Sequence, residues 1–360
     1  MRQVYLAATG QNRGKTTASL GLFDLFLRRG LEAGFMKPVG QRTVIEDGVS
    51  ADEDAVLMRE VFGLTDPMPV MSPVHIPRGF TKAYINGDVV EDLGARLRAA
   101  HVDLARRHEV ALIEGTGHAG VGAVIGLSNA VVAAMLGAPA IIVSEGGVGR
   151  PIDEIILNAS HFASYGVEVA GAIVNKVHLD EQPGLVGILE RGLGLHGIPL
   201  LGVLPYRPIL SNPTLAMVLE GVHGETLHPG PDLDRVIDDV AIGAMQPVNM
   251  LERIGPGTLV IVPGDRDDAI LRLTSAHAAD RGAAVGLVLT DGYRPSQTVI
   301  DEIRWADLFA TLVAEDSYVV ASEVHDLLVK THAADIDKIA MIKALVAEHL
   351  DVDRILAVAR

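Results

Sequence analysis

The run from Val4 to Thr17, V-Y-L-A-A-T-G-Q-N-R-G-K-T-T, constrains the fold more than any other segment. Val4–Ala8 is apolar or small throughout and reads as a buried strand. A glycine-bearing loop follows, and from Thr16 to Phe26 apolar residues recur at helical spacing. A strand, a tight Gly-rich turn, and a lysine and hydroxyl residue opening a helix make a cradle for phosphate, because loop N–H groups and the helix N-terminus both face the anion. On this reading Thr9, Gly10, Gln11, Asn12, Arg13, Gly14, Lys15, Thr16 and Thr17 bind a nucleotide, with ATP and Mg²⁺ the expected cofactors. Lys15 reaches the β- and γ-phosphates, and Thr16 offers its hydroxyl to Mg²⁺. The spacing is not the standard one. G-x-x-x-x-G-K-[ST] puts its first glycine where Thr9 stands, and Gly10 lies one residue too close to Gly14. The competing reading is a Gly-rich turn that happens to precede a lysine.

A chain of 360 residues with 49% hydrophobic residues can bury a sizeable core, as two domains or as one α/β domain with an extension. Aromatics are only 4%, so small aliphatics dominate, as parallel sheets covered by helices on both faces prefer. The net charge of −16 leaves no basic surplus to neutralise a phosphate backbone, so nucleic acid is not an expected partner. With no cysteine there are no disulfides, thiol catalysis or Cys-ligated zinc, which fits a reducing compartment. No secretory signal pattern is read at the N-terminus. The longest apolar run, Ala130–Val143, is broken by Gly137 and Pro139 and reads as a helix then a strand, not a membrane span. The expectation is a cytoplasmic protein without a membrane partner, assembling as a homo-oligomer.

Strand-like runs recur between helix-like stretches: Val4–Ala8, Ala33–Lys37, Val110–Glu114, Ala140–Ser144, Val169–Asn175 and Leu200–Leu204. Each is short, apolar on both faces and ends in polar or Gly-rich text, the pattern of parallel strands joined by crossover helices. The expected fold class is α/β, a P-loop parallel sheet with helices on both faces. From about Gly221 to Asn249 the chain turns polar and rich in Gly and Pro, and a second α/β pattern then starts. It comprises the strand Leu259–Val262, a helix from about Asp268 to Arg281, the strand Val285–Thr290 and the strand Thr311–Ala314. The expected division is 1–225 as the ATP-binding domain, 226–248 as a linker and 249–360 as a smaller α/β domain.

In such sheets the site lies beyond the carboxyl ends of the strands. Lys37 ends the second run beside the P-loop, where it can hold a second anion or extend to water; Arg42 is a weaker candidate for the same task. Asp52 and Asp54 sit where a helix is expected to start, and there capping competes with a magnesium role for Asp54. Glu114, closing the third run before Gly115-Thr116-Gly117, stands where P-loop proteins place a second Mg²⁺ contact. The expected metal set is therefore Thr16, Asp54 and Glu114, and the expected catalytic groups are Lys15 and Lys37. His118 reads equally as a site residue or a solvated loop histidine. Ser144–Pro151 is a further, less specific Gly-rich strand end. Asn175 can place its amide against a nucleobase edge or simply end a strand.

With Thr9–Thr17, Lys37-Pro38-Val39, Glu114–Gly117 and Asn175 in this order, the first 220 or so residues resemble dethiobiotin synthetase. They look closer still to the N-terminal domain of long bacterial phosphotransacetylases and to the synthetases that amidate cobyrinic acid. Leu204–Thr214 is also similar to the end of that phosphotransacetylase domain. The resemblance implies that Lys15 and Thr16 hold ATP and Mg²⁺, that Glu114 binds metal, that Lys37 holds a substrate carbamate and that Asn175 reads adenine. Residues from about 250 to 360 resemble the DRTGG domain through Val262–Arg266 and Leu289–Pro295, with Asp291 replacing one of the usual paired glycines. A catalytic acetyltransferase domain would need a longer chain, so acetyl transfer is not expected of this one.

Two functions compete at this level. One is an ATP-dependent ligase or ATPase that activates a small carboxylate or carbamate by phosphorylation. The other is a non-catalytic nucleotide sensor whose DRTGG-like region reports a metabolite effector to an enzyme of acetyl-phosphate or related metabolism. In the second case Gly264-Asp265-Arg266 forms an anion-binding turn, against the plainer reading of a βα-turn capped by Asp265 or Asp267.

Overall fold

In a computed structural model, which describes residues 1–360 apart from 47, 281–283 and 328, the apolar N-terminal run forms the strand β1 (Arg2–Ala8). Its residues from Val4 to Ala8 are at most 1% exposed, so both faces are covered. Five further strands join it: β2 (Ala33–Met36), β3 (Val110–Glu114), β4 (Ala140–Glu145), β5 (Val169–Val177) and β6 (Leu200–Pro205). Every pairing is parallel, in the order β6-β5-β4-β1-β3-β2. The chain passes from β1 to one edge of the sheet and later crosses to the other side of β1. The carboxyl end of β1 is thus the switch point where α/β sheets open a crevice, flanked by the ends of β3 and β4.

The helix α1 (Lys15–Arg28) follows β1 directly, and Gly14 before it sits at φ 92°. A second route to the crevice was less legible. After β2 the chain makes an antiparallel hairpin, Thr43–Glu46 with Val49–Asp52, and runs straight into the helix α2 (Glu53–Phe62).

The chain divides into two compact units, Met1–Tyr206 with Thr331–Arg360 and Arg207–Lys330. This differs from the expected division at 225 and 249 in two ways. The expected linker 226–248 contributes two strands, Glu225–His228 and Asp239–Ile242, to the second sheet. The last thirty or so residues belong to the first unit, where the helix Ile336–His349 packs on α1. There Gly21 lets the helices close up, since a Cβ on it would lie 2.2 Å from the Cβ of Val346. Lys343 reaches Asp24 at 3.3 Å, Arg29 pairs with Asp353, and Gln3 and Arg360 exchange backbone hydrogen bonds of 2.9 and 3.3 Å.

The second unit holds a five-stranded sheet with its own core. Four strands, Asp239–Ile242, Thr258–Pro263, Gly286–Thr290 and Phe309–Leu312, run parallel, and Glu225–His228 pairs antiparallel at one edge. Val260 and Val262 pack on one face while Leu259 and Ile261 pack on the other, the alternation a sheet covered on both sides requires. The expected helix is Asp267–Ala279, and Arg281 lies outside the described residues. The last strand begins two residues earlier than expected, at Phe309. Among the described residues no helix is long and apolar enough to cross a membrane.

Candidate functional site

The P-loop backbone is held from outside by the end of β5. Asn175 donates its Nδ2 hydrogen to the Arg13 carbonyl at 3.2 Å, and Lys176 donates from Nζ to the Asn12 carbonyl at 3.0 Å. Asn12 and Lys176 both take left-handed backbone, φ 58° and 57°. Gly14 cannot be replaced without moving this support, because a Cβ there would sit 1.8 Å from Asn175 Nδ2. Glu145, at the end of β4, ion-pairs with Arg13 and with Lys176 at 2.9 Å, tying loop, β4 and β5 together. Thr9 and Ser144 share a hydroxyl contact of 3.1 Å.

Inside the loop, Lys15 Nζ lies 3.4 Å from the Gly10 carbonyl oxygen. Its side chain is buried, which lowers its pKa from 10.5 to about 8, with the positive charge of Lys37 acting in the same direction. No side chain caps the start of α1 and no acidic residue stands in its first turn, so the helix itself supplies no group that competes with an anion for the positive end of its dipole.

Lys37 is the hub. It follows β2 and is 3% exposed. Its ammonium donates to Asp54 Oδ2 at 2.5 Å, to Glu114 Oε1 at 2.7 Å and to the Gly115 carbonyl at 3.4 Å. Burial alone would lower the Lys37 pKa, but Asp54 and Glu114 outweigh it and hold it well above the usual lysine value. Glu114 is fully buried and also accepts from Ser19 Oγ at 2.5 Å; burial pushes its carboxyl up, with Asp54 adding to the rise. Asp54 goes the other way, since Lys37 and its hydrogen-bond donors overcome the effect of burial and hold it below the usual carboxylate range. Removing one partner from such a buried network leaves an uncompensated charge, a loss of about 3–5 kcal/mol.

The two acids at the start of α2 divide their roles. Asp52 caps the helix, its Oδ1 accepting from the Asp54 N–H at 3.1 Å. Asp54 instead faces the P-loop, where it accepts from Thr16 Oγ1 at 3.1 Å. Asp54 therefore links the hydroxyl of Thr16, from which it accepts directly, to the carboxylate of Glu114, which it reaches through the shared Lys37 ammonium. These oxygens are a hard donor set of the kind Mg²⁺ takes alongside phosphate and water. Among the described residues no group of three or more His, Cys, Asp or Glu side chains gathers to hold a metal, so a cation here would depend on the Thr16 hydroxyl and on its ligand.

Other sequence candidates have different partners, although Arg42 is near enough for its charge to act on Lys15. Arg42 pairs with Glu53 at 3.3 Å, and His118 is exposed, with Nδ1 3.2 Å from the Gly120 N–H. Sequence reasoning missed Tyr5 and Asn129. Asn129 Oδ1 accepts from Tyr5 Oη at 2.7 Å and from the Thr116 N–H at 3.1 Å, while its Nδ2 donates to the Thr116 and His118 carbonyls. These bonds fix the loop after Glu114. The polar residue Asn129 opening an apolar helix was the available signal. In the second unit the turn 264–266 is not an open anion cradle. Gly264 N–H donates to Thr290 at 3.0 Å, Arg266 N–H donates to Pro263 at 3.1 Å, and the Arg266 guanidinium forks onto Asp268. Neither Asp265 nor Asp267 caps the helix that follows. Asp291 holds φ 66° beside Gly292 at φ 68°, which explains how aspartate replaces a glycine there.

Comparison with known proteins finds two domains in this chain. The profile of an AAA domain (AAA_26) matches residues 2–214, and that of the DRTGG domain matches residues 217–327. A phosphate acetyltransferase of Pseudomonas putida is 29% identical, covering 98% of this chain and 51% of that protein. One of Nitrosomonas europaea is 26% identical, covering 97% of this chain and 50% of that protein. The chain thus spans about half the length of the curated relatives it matches. Among solved structures, the septum site-determining protein MinD complexed with Mg-ADP from Pyrococcus horikoshii is similar at 16% identity, covering 58% of this chain and 83% of that one with a TM-score of 0.35. The protein belongs to the AAA-domain family of dethiobiotin synthetase-like P-loop proteins and carries a DRTGG domain behind it, the pairing seen in the N-terminal part of phosphate acetyltransferases.

Proposed function

We propose that the chain binds ATP with Mg²⁺ in the β1–α1 loop and uses it to phosphorylate a small carboxylate or carbamate, as an ATP-dependent ligase or ATPase. The observation that carries this reading is the convergence of Lys15, Thr16, Lys37, Asp54 and Glu114 at the carboxyl ends of β1, β2 and β3. Lys15 and the first N–H groups of α1 receive the β- and γ-phosphates, and Lys37 positions the attacking oxygen anion. Thr16, Asp54 and Glu114 would hold Mg²⁺, which supplies charge neutralisation at the transferring phosphoryl group. Chemistry of this kind is positioning and electrostatics, so rigid supports such as Asn175 and Asn129 matter as much as the charged groups. Asn175, engaged with the P-loop carbonyl, acts first as a loop support, and adenine reading would require its second hydrogen or its oxygen.

A second reading is favoured by one observation, the DRTGG match over residues 217–327 in a unit with its own core. A simple ligase has no need of it, whereas a nucleotide or metabolite sensor acting on an enzyme of acetyl-phosphate or related metabolism does. Thermal unfolding with and without MgATP, in wild type and Lys15→Ala, tests the nucleotide site. Binding to the folded state alone raises Tm, and the alanine variant should lose most of that rise. A shift retained in Lys15→Ala sinks the P-loop reading. Turnover across a panel of small carboxylates then separates the readings, since the sensor shows no stimulated hydrolysis.

A further inference from the structure

We propose that Lys37 is the resident cation of the metal site, so that its ammonium and the divalent ion take the same two carboxylates in turn. This rests on the nucleotide and metal reading above and sets an order of events within it. Lys37 Nζ lies 2.5 Å from Asp54 Oδ2 and 2.7 Å from Glu114 Oε1, and Thr16 Oγ1 bonds the other oxygen of the same Asp54. The ammonium therefore bridges the two carboxylates that the metal reading assigns to Mg²⁺. When both carboxyls are ionised, they and this ammonium sum to −1, before the nearby Lys15 is counted. Adding a dication while the ammonium stays in place would reverse that sign and set two cations within a few ångströms of each other, where only the partial exposure of Asp54 lets solvent screen them.

Lys37 is the longer and less constrained of the two partners, although it is buried. Its four-carbon stem can swing about the end of β2, whereas Glu114 is fixed within a strand and by Ser19. Once its carboxylates are shared with a divalent ion, the ammonium loses its anionic partners and seeks another. The anion that replaces them is the carboxylate or carbamate of the second substrate. Lys37 is thus a positioning residue for an ordered sequence, in which metal-nucleotide binds first and the acid second. Before metal binding it keeps the site folded by compensating two carboxyls that would otherwise stand buried and alone.

The test uses the full chain and Mn²⁺ alone as the probe, without nucleotide. Lys37→Met keeps the bulk of the side chain and removes the charge. The expected result is Mn²⁺ binding at least tenfold tighter than in wild type by titration, together with a Tm that is lowered in chelator and recovers with Mn²⁺. Equal or weaker Mn²⁺ binding in a folded Lys37→Met protein overturns the proposal. If that variant does not fold, wild type decides. Lys37 should be inert to a small amine-acylating reagent without metal and become labelled when Mn²⁺ and ATP are present, read by peptide mass spectrometry. Labelling unchanged by Mn²⁺ and ATP overturns the proposal as well. A failure here with the MgATP-dependent Tm rise intact leaves the nucleotide reading standing, whereas absence of that rise removes both.

Discussion

Lys15 is buried close enough to Lys37 to feel its charge, and the two lysines respond in opposite ways because only one has carboxylates in contact. Burial, with Lys37 adding to it, holds the Lys15 pKa at about 8 against an ordinary 10.5. Between these values the folded protein binds fewer protons at this group than the unfolded chain, so its contribution to stability improves as pH rises through that window. Phosphate binding has the opposite sign, since the anion needs the ammonium. Nucleotide affinity should fall above about pH 8, by as much as tenfold per pH unit, and binding near pH 9 should take up a proton. Calorimetry in two buffers of unlike ionisation heat reads that uptake directly. Zero uptake there would mean that Lys15 is already charged and that the loop is more open to water than its burial implies.

At the scale of elements, the contact between α1 and the helix Ile336–His349 sets two tendencies against each other. Replacing a helical glycine by alanine favours the helix by about 1 kcal/mol. At Gly21, however, the new Cβ would lie 2.2 to 2.5 Å from Val346 Cβ, Cγ2 and Cγ1, on a residue that is 0% exposed. A branched side chain cannot rotate out of that overlap, and overpacking of this kind costs about 1–3 kcal/mol. Gly21→Ala should therefore destabilise, and the added change Val346→Ala should recover only the part due to Cγ1 and Cγ2, because the Cβ at 346, 2.2 Å from the new Cβ, remains. Chemical denaturation of the single and double variants measures this. A stabilised Gly21→Ala would show that helix propensity outweighs the clash.

The same contact marks the limit of what could be read from the chain. The parallel strands were legible because each is apolar on both faces and ends abruptly, so Lys37 and Glu114 could be placed at strand ends from spacing alone. Asp54 could not be told from a cap, because its role depends on a hairpin that aims the start of α2 at the P-loop. Glu145 and Lys176 were unreadable as P-loop supports, since their partners lie more than a hundred residues away in Arg13 and Asn12. The C-terminal helices carry ordinary amphipathic text, and nothing in it says which sheet they cover.

On the scale of the whole molecule, the chain leaves the P-loop unit after Tyr206 and returns to it at Thr331, which changes how the sensor reading must be tested. Cutting the chain near Gly230 would remove the DRTGG region but also the helix that packs on α1, so lost binding would report damage to the P-loop helix rather than lost sensing. Excision of 207–330, with Tyr206 and Thr331 joined by a flexible Gly/Ser linker, keeps the strands of the first sheet and the helix 336–349 together. The excised protein should retain the MgATP-dependent rise in Tm, because the residues that carry it, Lys15, Thr16, Lys37, Asp54 and Glu114, all lie in the first unit. If the second unit is a sensor, a metabolite that shifts ATP affinity in the full chain does so through a coupling of about 1–3 kcal/mol, or roughly five- to 150-fold. The excised chain must then bind ATP with a single affinity across the same metabolite panel. Identical responses in both proteins would assign the 207–330 unit to assembly or stability and leave the ligase reading alone.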